Sequence, residues 1–164
     1  MSETLSLSQF LARPDTATAQ SGVAHTVSAA VLGAAAVDAA ELSGVRYRAP
    51  SGYVVRELRG AKMRTVARLF DEFAAALQFP YYFGDNKDSF DECLRDLDDF
   101  VGDATGYVVV IRDSVHLLAE APTERTWFGE AIRDCADYWS GKGIPFRVVL
   151  HGEATGLQDV SLDL

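Results

Sequence analysis

The residues best suited to chemistry gather between Pro80 and Asp103. Eight acids (Asp85, Asp88, Asp91, Glu92, Asp96, Asp98, Asp99, Asp103) stand there against Lys87 and Arg95, a net −6 in 24 residues of a chain whose formal charge is −9. Crowded carboxylates can serve acid–base catalysis, hold a cation, or dock on a positively charged partner. An EF-hand reading fails. With Asp85 as first ligand, Lys87 and Ser89 occupy the third and fifth positions and the sixth lacks glycine. Enzymatic signatures are also missing, because His25, His116 and His151 are widely spaced and nothing matches HExxH, GxSxG or a Walker loop. A hydrolase built from the aspartate pairs is the one enzymatic reading left. Bare nucleic acid is excluded as a partner by the charge sign, since phosphates demand a basic footprint. A basic protein fits, because opposite fields steer encounter.

The spacing places these acids. At roughly 100° per residue, with Phe90 set at zero, Cys93, Leu94, Leu97 and Val101 fall within about 60° of it and form one buried stripe. Asp88, Glu92, Arg95 and Asp99 fall at about 140–200°, on the opposite face, with Asp91 on the flank near 100°. Asp88 and Glu92 are therefore one turn apart on an exposed face. Their mutual repulsion costs a few tenths of a kcal/mol. The helix dipole offsets part of it at Asp88, and Arg95 screens Glu92 and Asp99. Ahead of this helix, Tyr81, Tyr82 and Phe83 sit beside Gly84 and Asn86 in a loop. Three aromatics in one loop are costly to expose, and aromatics beside a charged patch are typical of binding surfaces. Tyr82 and Phe83 could equally cover the core while Gly84 and Asn86 make the turn, and each reading is expected to hold for part of the loop.

The elements that must position this segment follow from periodicity. Val66, Leu69, Phe70, Phe73 and Leu77 predict an amphipathic helix closed by Pro80. Phe128, Ala131, Ile132, Cys135 and Trp139 predict another, with Thr123 as its cap and Gly141 and Gly143 ending it. Tyr107–Ile111 is a continuous apolar strand of the kind a parallel sheet buries on both faces, and Phe146–Leu150 is a second. Val45–Arg48 and Tyr53–Leu58 alternate as strands about a Pro50-Ser51-Gly52 turn. Helices between strands imply right-handed crossovers. The expected fold is thus α/β, a small parallel sheet of about three strands packed with helices.

Residues 1–44 read as an Ala/Ser-rich N-terminal extension and 45–164 as the domain. Within the extension, Leu5 to Val27 shows no period and suggests an extended arm. A short helix over 28–42 is expected, capped by Ser28 and stopped by Gly44. Cys93 and Cys135, without metal-ligand spacing, read as reduced buried thiols. The start Met1-Ser2-Glu3 lacks a secretory pattern, and the longest apolar run is too short to span a bilayer. A cytoplasmic protein without metal or cofactor is expected.

Pro80, Tyr82, Phe83, Gly84, Asn86, Asp88, Phe90, Glu92, Cys93 and Leu94 resemble, without a gap, the signature segment of the barstar family, intracellular inhibitors of the ribonuclease barnase. The order of elements from about Tyr53 to Leu150 resembles the barstar-like fold as well. The resemblance implies a stoichiometric protein inhibitor and no enzyme. Asp88 and Glu92 would pair with the cations of a ribonuclease site, Tyr82 would stack on it, and Gly84 and Asn86 would add contacts. A further family contact, late in the third helix, falls at Tyr138, with Asp137 beside it. Lys87 and Asp91 stand where the family often has an apolar residue and a tryptophan, which points to a cognate enzyme other than barnase. The expected docking surface therefore comprises Tyr82, Phe83, Gly84, Asn86, Lys87, Asp88, Asp91, Glu92, Arg95, Asp137 and Tyr138. The partner would be a ribonuclease or nuclease toxin, and the alternative is a barstar-fold module that binds another basic protein without inhibiting anything.

Overall fold

Strand β4 (Gly106–Arg112) explains the architecture, because six of its seven residues are buried. A strand that is apolar at every position needs cover on both faces. Tyr107, Val109 and Ile111 face the larger core, and Val108 and Val110 a second, separate one. The computed structural model, which describes residues 3–13, 30–152 and 156–164, supplies both covers.

The first is made by helices α4 (Val66–Leu77), α5 (Lys87–Arg95) and α7 (Glu124–Ser140), which bring Leu69, Phe73, Phe90, Leu94, Phe128 and Ile132 against the sheet. The second comes from the N-terminal region. Helices α1 (Leu7–Leu11), α2 (Ala39–Ser43) and α3 (Val45–Arg48) lay Leu7, Phe10, Leu11, Leu42 and Val45 over Val108, Val110 and Val149. Two fixed polar contacts hold α1 in place. The buried Arg147 donates from Nε to the Phe10 carbonyl at 3.2 Å, and the Tyr53 hydroxyl donates to the Leu11 carbonyl. Both use carbonyls that the end of a helix leaves without an intrahelical donor.

The sheet has six strands, not about three. With β1 (Thr4–Ser6), β2 (Leu32–Ala35), β3 (Tyr53–Arg59), β5 (Phe146–His151) and β6 (Val160–Asp163), its order is β1-β6-β2-β5-β4-β3 and every pair is parallel. Three adjacent strands at one side of the sheet, β5, β4 and the edge strand β3, are those the sequence predicts, the first two as apolar runs and β3 by its alternation. The others are short, and β2 reads Leu-Gly-Ala-Ala, a composition that favours helix when taken locally. Its place in the sheet depends on packing. A Cβ on Gly33 would lie 2.7 Å from the Leu162 side chain, so glycine lets β6 and β2 close up.

Four further expectations are corrected. The helix over 28–42 is replaced by β2 and α2, with Asp38 as the cap, its Oδ1 accepting the Glu41 N–H at 2.8 Å; Ser28 lies outside the described residues. Val45–Arg48 is helix, since its alternation reflects a buried Val45 beside an exposed Tyr47 on a single turn. The expected extended arm is β1 and α1 over residues 4–11, α1 opening on a Ser6/Gln9 capping box, while 14–27 lie outside the described residues. Thr123 precedes α7 without a side-chain capping bond. The Pro50–Gly52 turn is present, with the Tyr53 N–H bonded to the Pro50 carbonyl at 3.2 Å and Gly52 at φ +85°. Among the described residues no helix is long and apolar enough to cross a membrane.

Candidate protein-docking site

The acidic stretch forms two helices rather than one. α5 stops at Arg95, Asp96 leaves helical geometry (φ −109°, ψ 20°), and α6 (Leu97–Phe100) follows as a separate turn. The cause lies across the core: Trp139 Nε1 donates to the Leu94 carbonyl at 2.9 Å, taking the acceptor that a continuing helix would use four residues on. The apolar stripe still holds, since Phe90, Cys93, Leu94 and Leu97 are all fully buried. Burial pushes the Cys93 thiol up to about 11, helped by Asp96 and Glu92, and raises Cys135 well above its usual value. Both cysteines are free and buried.

The loop ahead of α5 is tied down from inside. Phe83 donates its N–H to the Pro80 carbonyl at 3.0 Å and packs its ring against Phe79 and Phe70, at 5.0 and 5.7 Å between centroids. Asp85 adopts a left-handed φ of 51°. Asn86 caps α5 through Oδ1, which accepts the Ser89 N–H at 2.8 Å, while its Nδ2 donates to the Gly84 carbonyl at 3.1 Å. The Gly84 N–H in turn donates to Ser89 Oγ at 2.9 Å. Phe83, Gly84 and Asn86 thus shape the loop. Tyr81 and Tyr82 remain outside, 100% and 46% exposed, their rings edge to face at 5.8 Å. Tyr81 is the surface residue that sequence reasoning passed over. Its only signal was its place in the aromatic run.

Asp88, Glu92 and Arg95 lie exposed on α5, as the spacing requires. Asp91 is partly buried on the flank, and its Oδ1 is shut off from solvent without a hydrogen-bond partner. Burial raises its carboxyl above the usual range, Asp134 and Asp88 add to the shift, and Arg95 opposes it. Asp96 is raised in the same way, by burial and then by Asp99, Glu92 and Asp98. The Tyr82 hydroxyl is raised by desolvation and by Asp96, Cys93, Asp99 and Glu92. The exposed tyrosine therefore borders the acidic row.

Lys87, expected on the docking surface, also has a partner within the chain. Its ammonium lies 2.6 Å from a Glu124 carboxylate oxygen and 4.9 Å from the Trp127 ring centroid, so the first residue of α5 is anchored to α7. On the last turn of α7, Asp137 and Tyr138 are exposed. Lys142 sits over the Tyr138 and Trp139 rings at 4.8 and 5.3 Å. A hydrogen bond to the Tyr138 hydroxyl raises the Lys142 pKa, and Asp98 and Asp96 add to it. The end of α7 thus borders the acids after the α5 break, which the Trp139–Leu94 bond makes necessary. Among the described residues none of the eight acids between Asp85 and Asp103 forms an ion pair within 4.0 Å.

The histidines are used structurally. His116 Nδ1 meets Arg64 at 3.0 Å, and His151 Nδ1 accepts the Asp113 N–H while Nε2 contacts the Val37 carbonyl at 2.7 Å. His25 lies outside the described residues.

An all-parallel α/β scaffold thus presents a carboxylate row, with Tyr82 and the Tyr138–Lys142 pair both near its Asp96. The family model described as barstar, the barnase inhibitor, matches residues 53–151, and the chain belongs to that family. No curated protein matches the chain.

Proposed function

We propose that this protein is a stoichiometric inhibitor of a ribonuclease, barnase-like or another toxin nuclease, and works in the cytoplasm as the matching antitoxin or immunity protein. The observation that carries the reading is the set of eight carboxylates that have no ion-pair partner among the described residues, one of them, Asp91, holding an oxygen that is both desolvated and unbonded there. A nuclease concentrates positive charge to hold phosphates, and an acidic helix is its electrostatic complement. Asp88 and Glu92 stand in for substrate phosphates, Tyr82 stacks at the rim of the site, and Asp91 receives a cation donor it lacks in the free protein. The blockade is steric and electrostatic and uses no chemistry of its own.

Titration of candidate ribonucleases tests this. Asp88→Ala and Glu92→Ala should each weaken inhibition by at least about thirtyfold, the range of an interface hot spot. If both variants inhibit as tightly as the parent, the docking surface is wrong. If the parent binds a basic protein through this face without inhibiting any nuclease, the protein is an interaction module instead.

A further inference from the structure

The chain's cations are as unevenly placed as its acids. Between Gly44 and Phe70 lie Arg46, Arg48, Arg56, Arg59, Lys62, Arg64 and Arg68 against Glu57 alone, a net +6 that equals in size the −6 between Pro80 and Asp103. The fold gathers them on one border. β3 is the last strand of the sheet, so its outer edge is unpaired. α3 packs against it from the second core and α4 from the first; Arg46 and Arg48 belong to α3, Arg56 and Arg59 to β3 and Arg68 to α4, and Arg46, Arg56 and Glu57 line one cleft there.

Internal acids neutralise only part of this rim. Arg46 pairs with Glu57 at 3.2 Å, Arg59 with Glu72 at 3.0 Å and Arg64 with Glu120 at 3.1 Å. Among the described residues the side chains of Arg48, Lys62 and Arg68 have no hydrogen-bond or ion-pair partner, and Arg56 reaches only the carbonyl of Val55, at 3.5 Å. Tyr47 stands 83% exposed between Arg46 and Arg48. Charged side chains keep an edge strand from pairing with another chain. Here four of the seven cations are also without an acid of the chain's own, among the described residues.

We propose that the β3 rim docks on the acidic α5–α6 face of a second copy of this chain, head to tail. The two surfaces are opposite in sign, and among the described residues four rim cations (Arg48, Arg56, Lys62 and Arg68) and all eight acids of the face have no ion-pair partner within their own chain. At about 0.1 M salt the Debye length is about 10 Å, so the facing patches and not the −9 totals decide the contact. Because rim and face are different surfaces, the contact is heterologous and adds copies in one direction. It covers the face assigned above to the nuclease, so self-association and inhibition exclude each other. In this respect the inference rests on that assignment.

Sedimentation of the full chain without any nuclease tests it. The parent should associate at about 0.1 M salt, and its dissociation constant should weaken by at least about tenfold toward 1 M, where the Debye length falls to about 3 Å. Arg48→Glu with Arg56→Glu should be monomeric, and so should Asp88→Lys with Glu92→Lys. An equimolar mixture of the two should form a heterodimer, because one retains the face and the other the rim. Circular dichroism verifies folding, and Lys62→Glu with Arg68→Glu provides a second rim variant. A parent that stays monomeric, or a mixture that does not pair, overturns the proposal. So does a short fluorescent oligouridine that binds a monomeric parent but not the rim variants, which would assign the rim to nucleic acid. None of these outcomes touches nuclease inhibition, so either reading can fail alone.

Discussion

Asp91 shows how a single carboxylate links stability to docking. Its raised pKa means that the folded chain holds a proton more tightly than the unfolded one, so stability falls as pH rises from the usual value of 3.8 through the raised one, and the loss is complete above it. Asp91→Asn should therefore melt higher than the parent at neutral pH, with the gap closing as the pH drops to the ordinary carboxylate range. Thermal melts at pH 7 and near pH 4 measure both points. The same substitution should weaken partner binding, because it removes the charge that a partner's cation answers. Trp139 is the other decisive residue. Trp139→Phe keeps an aromatic ring but loses the indole N–H and part of the buried volume, leaving the Leu94 carbonyl with only the long Cys135 contact of 3.6 Å, at a cost of at least about 1–3 kcal/mol by urea unfolding.

The helix α5 depends on its loop as much as on its own periodicity. Asn86 bonds both the first turn of the helix and the Gly84 carbonyl, so Asn86→Ala should cost about 1 kcal/mol as a lost cap. It should reduce nuclease affinity by more than that, because Tyr82 would no longer be held beside Asp96 and Glu92. Comparing unfolding with inhibitor titration separates the two losses. Helix periodicity gave the buried stripe and the exposed acids correctly, because both depend on angles within a turn or two. It did not give the break at Asp96, which depends on an indole more than forty residues away. Nor did it show that Lys87 belongs to Glu124 and Trp127, since its neighbours in sequence offered closer acids.

At the scale of the whole molecule, the N-terminal region is half of the protein's cover. Val108, Val110 and Val149 are buried beneath Leu7, Phe10, Leu11, Leu42 and Val45. A chain starting at residue 50 should therefore expose a contiguous apolar face, bind a hydrophobic dye and lose cooperative unfolding, while the helices over the first core stay nominally intact. Preserved two-state unfolding in that shortened chain would mean that the second core contributes little.

By itself the sequence determined what is local. It specified β4 and β5 through unbroken apolar runs, β3 through its alternation, the helical faces through their period, and the acidic surface through the angle between carboxylates and stripe. Tertiary structure alone decided where short, weakly patterned segments go. Leu32–Ala35 favours helix as a peptide and becomes a strand because Gly33 lets it pack under Leu162, between β5 and β6. The pairing of charges was decided at the same level: Lys87 is satisfied across the fold, while, among the described residues, the acids around it and Arg48, Arg56 and Arg68 of the β3 rim are left without an ion pair. Periodicity reports the direction in which a side chain points. What it meets there depends on chain that is distant in sequence.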